Sequence, residues 1–323
     1  MNPALAGIDA FFPAFALPPG APAKIGVAYS GGADSTALLH AAAERWPGQV
    51  QALHIHHGLQ AAADEFVRVC ESVCAALQVP LNVIRVDARP APGASPEDAA
   101  RRARYTALAE AAKAQDLSGV LLGQHADDQV ETMLLALSRG AGLPGLSAMP
   151  ARFERAGVAF YRPLLQTPAA SLRNWLVQQK IPFIHDPSNS NERYTRNRIR
   201  ARLLPALASA FPQFRETFAR RARHAAQAQR LLEEVAGEDL ARMGGALVIK
   251  SLHTLSKARQ ANLLRHWLFE THRAIPSSAQ LDQLLAQVAT CTTRSHRIHL
   301  KIATGHVTRN GAVLQYTAAG QGG

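Results

Sequence analysis

The sequence is poor in cysteine, in aromatic residues and, toward its end, in acid. Three cysteines, Cys70, Cys74 and Cys291, are too few for a disulfide framework and fit a reducing compartment. Cys70 and Cys74 lie four apart in a helical pattern, with no second pair to complete a metal site, so burial is their default role. No apolar run approaches the ~18 residues of a membrane span. Residues 1–23 hold Phe11, Phe12 and Phe15 but no early positive charge, so they do not read as a signal peptide. These absences together predict a cytoplasmic protein. Only 18% of residues are charged, yet the net charge is +11. Residues 1–180 balance their charges, and the whole excess falls in 181–323. A basic region attached to a neutral one is either a footprint for a polyanion or the mark of a generally basic proteome. With 47% hydrophobic residues, the 323-residue chain can bury a core and has length for two domains.

Short apolar runs alternate with helical patterns. Lys24–Tyr29 predicts a buried strand, 34–44 a helix, 49–57 a strand, 64–77 a helix and 81–87 a strand. Ser95, Pro96 and Asp98 make a helix start, with proline at the first helical position. That helix ends near 115, and strand 119–124 and helix 127–137 follow. Such alternation predicts a parallel sheet covered on both faces, with ligands at the carboxyl ends of its strands. Thr167-Pro168 opens another helix, and residues 181–200 are polar and irregular. Beyond them the pattern is mostly helical over 201–242, 256–272 and 277–289, and Asn310-Gly311 is a hairpin signal within 297–316. Between Arg193 and Arg230, ten arginines are opposed only by Glu216. Tyr194, Phe211, Phe214 and Phe218 sit among them, as packing residues or stacking platforms.

Three loops follow predicted strands. Ser30-Gly31-Gly32-Ala33-Asp34-Ser35 joins the first strand to a helix start. Unpaired amides and the helix dipole favour an anion there, and glycine lets the backbone approach it. Asp34 would repel bare phosphate but suits a magnesium ion held between carboxylate and phosphate. A glycine-rich turn alone is often an ordinary tight turn. The flanking hydroxyls and the carboxylate favour the phosphate reading. The second loop, His54-Ile55-His56-His57-Gly58-Leu59, puts His54 and His56 on one strand face. No third ligand has clear spacing, so packing or contact with a nucleotide is expected rather than zinc. The third loop is Gly123-Gln124-His125-Ala126-Asp127-Asp128-Gln129-Val130-Glu131-Thr132. Its clustered carboxylates cost free energy unless cations join them. Asp128 and Glu131 share a helix face and make a cage suited to an ammonium group. Asp127 suits magnesium or the same ammonium. The alternative is a solvated, dipole-favoured helix start.

The hexapeptide resembles the PP-loop of ATP pyrophosphatases, which cleave ATP to AMP and pyrophosphate. Further along come Arg139-Gly140-Ala141-Gly142-Leu143-Pro144-Gly145-Leu146, Arg162-Pro163-Leu164-Leu165, Asp186-Pro187-Ser188-Asn189 and Arg196-Asn197-Arg198-Ile199-Arg200. With Glu97, Arg101, Arg104 and Tyr105, these complete a set over residues 24–200 that resembles the tRNA(Ile)-lysidine synthetases. The resemblance implies an α/β fold. A parallel-sheet PP-loop domain (adenine nucleotide alpha hydrolase-like, Rossmann-like) over 1–205 would precede a smaller, mainly helical, basic tRNA-binding domain over 206–323, ending in a small hairpin. It implies a ligase that joins L-lysine to C2 of the wobble cytidine of tRNA(Ile) with a CAU anticodon. The route is an adenylated cytidine, and AMP and pyrophosphate leave.

Carried onto this chain, Ser30, Gly31, Gly32, Ala33, Asp34 and Ser35 would bind ATP phosphates, with Mg2+ on Asp34. His56 and His125 would lie near the nucleotide. Asp34, Asp127 and Arg139 would serve catalysis, and Asp128 and Glu131 would hold lysine. Arg196, Arg198, Arg200, Arg220 and Arg221 would hold tRNA. Arg139, Arg196 and Arg198 face either the transferring phosphate or the RNA, and Arg104 is an alternative ion-pair partner of Glu97 or Asp98. Neither zinc nor an iron–sulfur cluster is expected, nor a membrane partner; a homodimer stays open. Some family members carry a further C-terminal domain, and this chain is expected to keep only the first small one. The alternative on the same loop is a tRNA 2-thiolation enzyme. That chemistry uses paired cysteines near the active site, whereas Cys70 and Cys74 are expected to lie away from the strand ends.

Overall fold

The computed structural model describes residues 1–12, 24–56, 62–86, 96–185, 191–293 and 296–318, without the side chains of 62–64 and 96–98. His57, Gly58, Leu59, Ser95, residues 186–189 and the side chains of Glu97 and Asp98 lie outside the described residues. The chain forms two compact units, Met1–His224 and Ala225–Gly323.

The first unit opens with helix α1 (Pro3–Phe11), where the Asn2 side chain accepts from the Ala4 amide and proline takes the first helical position. Then come β1 (Ile25–Ala28), α2 (Ala33–Arg45), β2 (Val50–His56), α3 (Ala62–Ala76), β3 (Leu81–Arg85), α4 (Pro96–Ala114), β4 (Val120–Leu121) and α5 (Ala126–Ser138). A short α6 (Leu143–Leu146), the hairpin β5 (Arg152–Arg155) and β6 (Val158–Tyr161), and α7 (Ala169–Gln178) follow. The strands make one sheet in the order β3-β2-β1-β4-β6-β5, parallel except for the β5–β6 pair. The expected parallel sheet is therefore present, with one antiparallel edge strand that the sequence pattern did not show.

Strand β1 pairs with β2 on one side and β4 on the other, Gly26 facing both Gln51 and Val120. Strand order reverses there, so the loops after β1 and β4 open into the same crevice at the carboxyl ends. Ile8, Leu38, Leu39, Leu164 and Leu172 fill one side of the sheet. Tyr105, Leu108, Val120 and Phe160 fill the other. Each fully buried aliphatic side chain contributes about 1.5–3 kcal/mol, enough to hold both loops in register.

After α7 the chain runs through α8 (Thr195–Arg198), a π-helix (Ile199–Leu203), α9 (Leu204–Ala210) and the long α10 (Phe214–Arg242). Ile199, Leu204 and Phe214 pack on Val130, which fastens this segment against α5. The division between the units falls inside α10.

The second unit adds α11 (Ile249–Leu252), α12 (Lys257–His272) and α13 (Ser278–Thr290). An antiparallel sheet of β7 (His299–Ile302), β8 (Gly305–Asn310) and β9 (Val313–Ala318) closes it. Its last turn is at the predicted Asn310-Gly311, with Gly311 at φ 59°. Leu263, Leu268, Leu284, Val288 and Ile302 form its core. No helix among the described residues is long and apolar enough to cross a membrane.

Candidate active site

The turn after β1 is built for an approaching anion. Gly31 holds φ 81°, a left-handed conformation that side chains disfavour. A Cβ at Gly31 would lie 2.3 Å from Ile184 Cδ1 and 3.0 Å from Cys70 Sγ. Gly32 caps α2, and a Cβ there would meet only Ser30 Oγ, at 3.5 Å, so its surface stays open. Ser35 Oγ accepts from the Ser30 amide and lies 3.0 Å from Ser30 Oγ. Thr36 Oγ1 donates to the carbonyls of Gly31 and Gly32. The hydroxyls thus lock the turn at the N-terminus of α2, where the dipole favours an anion.

The third loop meets this turn through a missing side chain. A Cβ on Gly123 would sit 3.2 Å from the Ser35 amide nitrogen and 3.3 Å from the Asp34 carbonyl carbon. That closeness brings His125 Nε2 to 3.4 Å from Asp34 Oδ2 and 3.5 Å from Asp128 Oδ2. The ring also caps α5. Asp128 accepts from the His125 amide, and His125 Nδ1 accepts from the Asp128 amide at 3.4 Å. Burial opposes charge on His125, but Asp34, Asp128 and Asp127 outweigh it and push its pKa up to about 9. The long amide contact, which needs a neutral Nδ1, is the weaker of the two influences, so the imidazolium prevails near neutrality.

Each acid already has a cation. Arg215 Nε donates to Asp127 Oδ1 at 2.7 Å, and Asp127 Oδ2 accepts from the Ala169 amide at 2.9 Å, capping α7. Burial would raise the Asp127 pKa, but Arg215 and that amide hold it below the ordinary carboxylate value. Arg200 spans Asp128 and Glu131, at 2.9 Å and 2.5 Å. Arg196 adds a 3.4 Å contact to Glu131, which is fully buried. Burial pushes the Glu131 carboxyl above its ordinary value although Arg200 opposes it.

The structure therefore gathers Ser30, Gly31, Gly32, Ala33, Asp34, Ser35, His125, Asp127, Asp128 and Glu131 at one end of the sheet. His56 is buried at the end of β2, and His54 Nδ1 is spent on the Tyr29 carbonyl at 2.9 Å. Half-buried Arg196 and exposed Arg200 both reach the acids of α5. Arg198 is exposed and donates to the carbonyls of Glu192 and Arg193, and Arg220 and Arg221 are exposed on α10. Arg139 does not join the group. It closes the far end of α5, about 18 Å along the helix axis from Asp127. The cysteine expectation also needs correcting, because Cys70 packs beneath Gly31 and 3.6 Å from His54 Nδ1. Burial pushes the thiols of Cys70 and Cys74 up to about 12 and about 11, so both stay protonated. Sequence reasoning missed Arg215 as a partner of Asp127. Its signal was a lone arginine beside Phe214 at a helix start, indistinguishable there from its nine neighbours in the run.

Two family models match, a PP-loop domain over residues 13–207 and a TilS substrate binding domain over 247–313. The chain is 71% identical over 319 residues to the tRNA(Ile)-lysidine synthase of Polaromonas naphthalenivorans (strain CJ2), covering 99% of this chain and 96% of that protein. It is 42% identical over 282 residues to the tRNA(Ile)-lysidine synthase of Enterobacter sp. (strain 638), covering 85% of this chain and 66% of that protein. Among solved structures, the U34-tRNA thiolase NcsA from Methanococcus maripaludis with its 4Fe-4S cluster superposes with a TM-score of 0.57 at 12% identity. It covers 68% of this chain and 77% of that one. This last likeness concerns the fold alone.

Proposed function

We infer how this site works from one premise: the chain belongs to the tRNA(Ile)-lysidine synthase family. It is an ATP-using ligase that acts on a tRNA. The finer reading is that it joins L-lysine to C2 of the wobble cytidine of tRNA(Ile) with a CAU anticodon, in the cytoplasm. The cytosine carbonyl oxygen attacks the α-phosphorus of ATP and pyrophosphate leaves. The ε-amine of lysine then attacks C2, the bond to AMP oxygen breaks, and the amine loses a proton. Adenylation is needed because a carbonyl oxygen is a poor leaving group.

One observation carries this reading. Gly123 packs against the Asp34–Ser35 backbone, so the phosphate turn and the acidic helix share one crevice. The turn amides and the Ser30 and Ser35 hydroxyls orient the phosphates. Mg2+ fits the site, because Asp34 presents a partly exposed carboxylate at a helix start and such ions take one or two carboxylates plus phosphate oxygens. Bound there, the ion would neutralise charge developing on the departing pyrophosphate. His125 holds Asp34 and Asp128 in place from between them. Asp128 and Glu131 receive the lysine ammonium, which takes over the position that the Arg200 guanidinium fills. Asp127, committed to Arg215 and Ala169, positions the helices rather than reacting. The domain that binds tRNA follows the catalytic one, with the boundary near residue 205 in sequence terms.

The test is incubation with ATP, labelled lysine and tRNA(Ile) carrying a CAU anticodon. Label enters the anticodon loop as AMP is released. Asp34→Ala abolishes the reaction, and Asp128→Ala raises the KM for lysine at least tenfold without moving that for ATP, on the order expected for losing a charged hydrogen bond. Unchanged lysine kinetics would remove Asp128 from the site. Thiolation is less supported: the two neighbouring thiols are buried and protonated, and purified protein free of iron and sulfide would count against it.

A further inference from the structure

Two motifs that the reaction does not use converge in the fold. Arg101, Arg104 and Tyr105 lie in the first half of α4, and Arg162 follows β6. The guanidinium carbons of Arg155, Arg104 and Arg101 stand 5.3, 5.6 and 5.7 Å from the centre of the Tyr105 ring. Arg162 Nη2 donates to the Tyr105 hydroxyl at 3.3 Å, and its guanidinium lies 4.3 Å from the centre of the Phe153 ring. The remaining contacts of Arg162 are also neutral: Nε donates to Gln124 Oε1 at 3.1 Å and Nη1 to the Pro150 carbonyl at 2.7 Å.

Four positive charges thus crowd one phenol ring, and among the described residues none of the four has a carboxylate partner. Burial and mutual repulsion hold Arg104 and Arg162 below the ordinary arginine pKa, Arg101 adding to both. Packing explains only part of this. Arg162 alone closes Tyr105 and Phe153 with satisfied donors, whereas exposed Arg101 adds repulsion to Arg104 and Arg162, and half-buried Arg155 places a further cation over the same ring. An arrangement strained by like charge and open at its rim is one that awaits an anion. Its place is set by Gln124, the residue before His125, which puts it beside the catalytic crevice at the edge formed by β6 and β5.

We propose that Arg101, Arg104 and Arg155 form a phosphate clamp for the ribose-phosphate backbone of the substrate tRNA, with Arg162 and Tyr105 as its rigid base. The proposal rests on the tRNA-ligase reading above. Arginine suits the role because its planar fork takes phosphate oxygens in pairs while its face stays on the ring. ATP is the weaker candidate, since its phosphates are already provided for at residues 30–35.

The test compares wild type, Arg101→Gln, Arg101→Gln/Arg104→Gln and Arg104→Lys. Tight binding of a tRNA(Ile) transcript is read across a salt series, alongside steady-state KM values. The double variant should weaken tRNA binding about tenfold and flatten the log–log salt slope by about 1–2, with KM for ATP and lysine unchanged. Arg104→Lys should leave the salt slope near that of wild type, because the charge is kept, yet lose part of the affinity, because lysine cannot stack on the ring while taking phosphate oxygens in pairs. A double variant with native tRNA affinity and slope overturns the clamp, as does a rise in KM confined to lysine or ATP. Should the double variant misfold, exposed Arg101→Gln alone decides, with a slope change of about 1 expected. Wild type that neither binds tRNA nor incorporates lysine refutes the ligase reading instead.

Discussion

His125 carries more of the site than its place in the motif suggests. Its imidazole lies within 3.9 Å of carboxylates from Asp34, Asp127 and Asp128. Its folded pKa, about 9, exceeds the ordinary 6.5, so the native state binds this proton more tightly than the unfolded chain does. The resulting stability is complete below pH 6.5 and is lost as pH rises through about 9. Its upper size is about 3–4 kcal/mol, from ~1.4 kcal/mol for each pKa unit. His125→Asn should remove most of that pH dependence. Urea midpoints between pH 6.5 and 8.5 check it: wild type weakens across the window and the variant stays nearly flat. The range stops there because the buried thiols of Cys70 and Cys74 add a loss of the same sign at higher pH. A variant with the wild-type slope would show that the ring is neutral and acts only as the cap of α5.

At the scale of elements, Gly31 in the β1–α2 turn and Gly48 before β2 share a positive φ but not a duty. Gly31 needs its positive φ and also lacks room, with Ile184 Cδ1 at 2.3 Å from any Cβ. Gly48 has a similar φ of 74° but nothing within 4 Å of a Cβ. Gly48→Ala should therefore cost only the backbone term, about 1 kcal/mol, and leave ATP kinetics alone. Gly31→Ala should add the clash, cost about 2–3 kcal/mol and raise the ATP KM roughly tenfold, because the displaced turn carries the amides. Thermal melts and pyrophosphate exchange separate the two; equal effects on ATP KM would mean that the turn does not hold the nucleotide.

Much of this region was legible beforehand. Ser30 to Ser35 announces itself because only glycine suits a left-handed step at a helix start, and the acids at 127–131 mark a helix needing cations. The identity of those cations was not legible: Arg200 arrives on a π-helix and Arg215 from 88 residues away, placements set by the packing of Ile199, Leu204 and Phe214 on Val130. The β5–β6 hairpin escaped because its turn is Ala156-Gly157, with φ of 50° and 70°, rather than the usual asparagine–glycine. Helix α1 was signalled by Asn2-Pro3, a cap followed by a first-turn proline, in a stretch weighed only as a leader.

For the whole molecule, the structural division changes how the charge is distributed. By sequence the excess began after residue 180, as if a neutral domain preceded a basic one. By compact units, residues 1–224 carry 24 Lys/Arg against 18 Asp/Glu and residues 225–323 carry 11 against six, so each unit is basic on its own. Part of the first unit's surplus is spent internally, Arg196, Arg200 and Arg215 being paired with the acids of α5. In the second unit Arg242 and Arg259 are likewise paired with Asp239, whereas Arg198, Arg220 and Arg221 stay exposed and can meet a polyanion. Binding of tRNA should then release counterions from several phosphates. With about three contacts, affinity falls roughly 20- to 40-fold between 50 and 200 mM salt, and each further contact steepens the slope by a little under one. The KM for ATP should move less than about twofold over the same range if its phosphates occupy the proposed β1–α2 turn, whose amide dipoles salt screens weakly at such short distance. Filter binding of tRNA(Ile) beside pyrophosphate exchange gives both numbers from one protein preparation. Salt-independent tRNA binding would mean that the positive charge of both units serves something other than the nucleic acid. The lysine site proposed on the acidic helix would then have to receive its RNA without help from the basic surface.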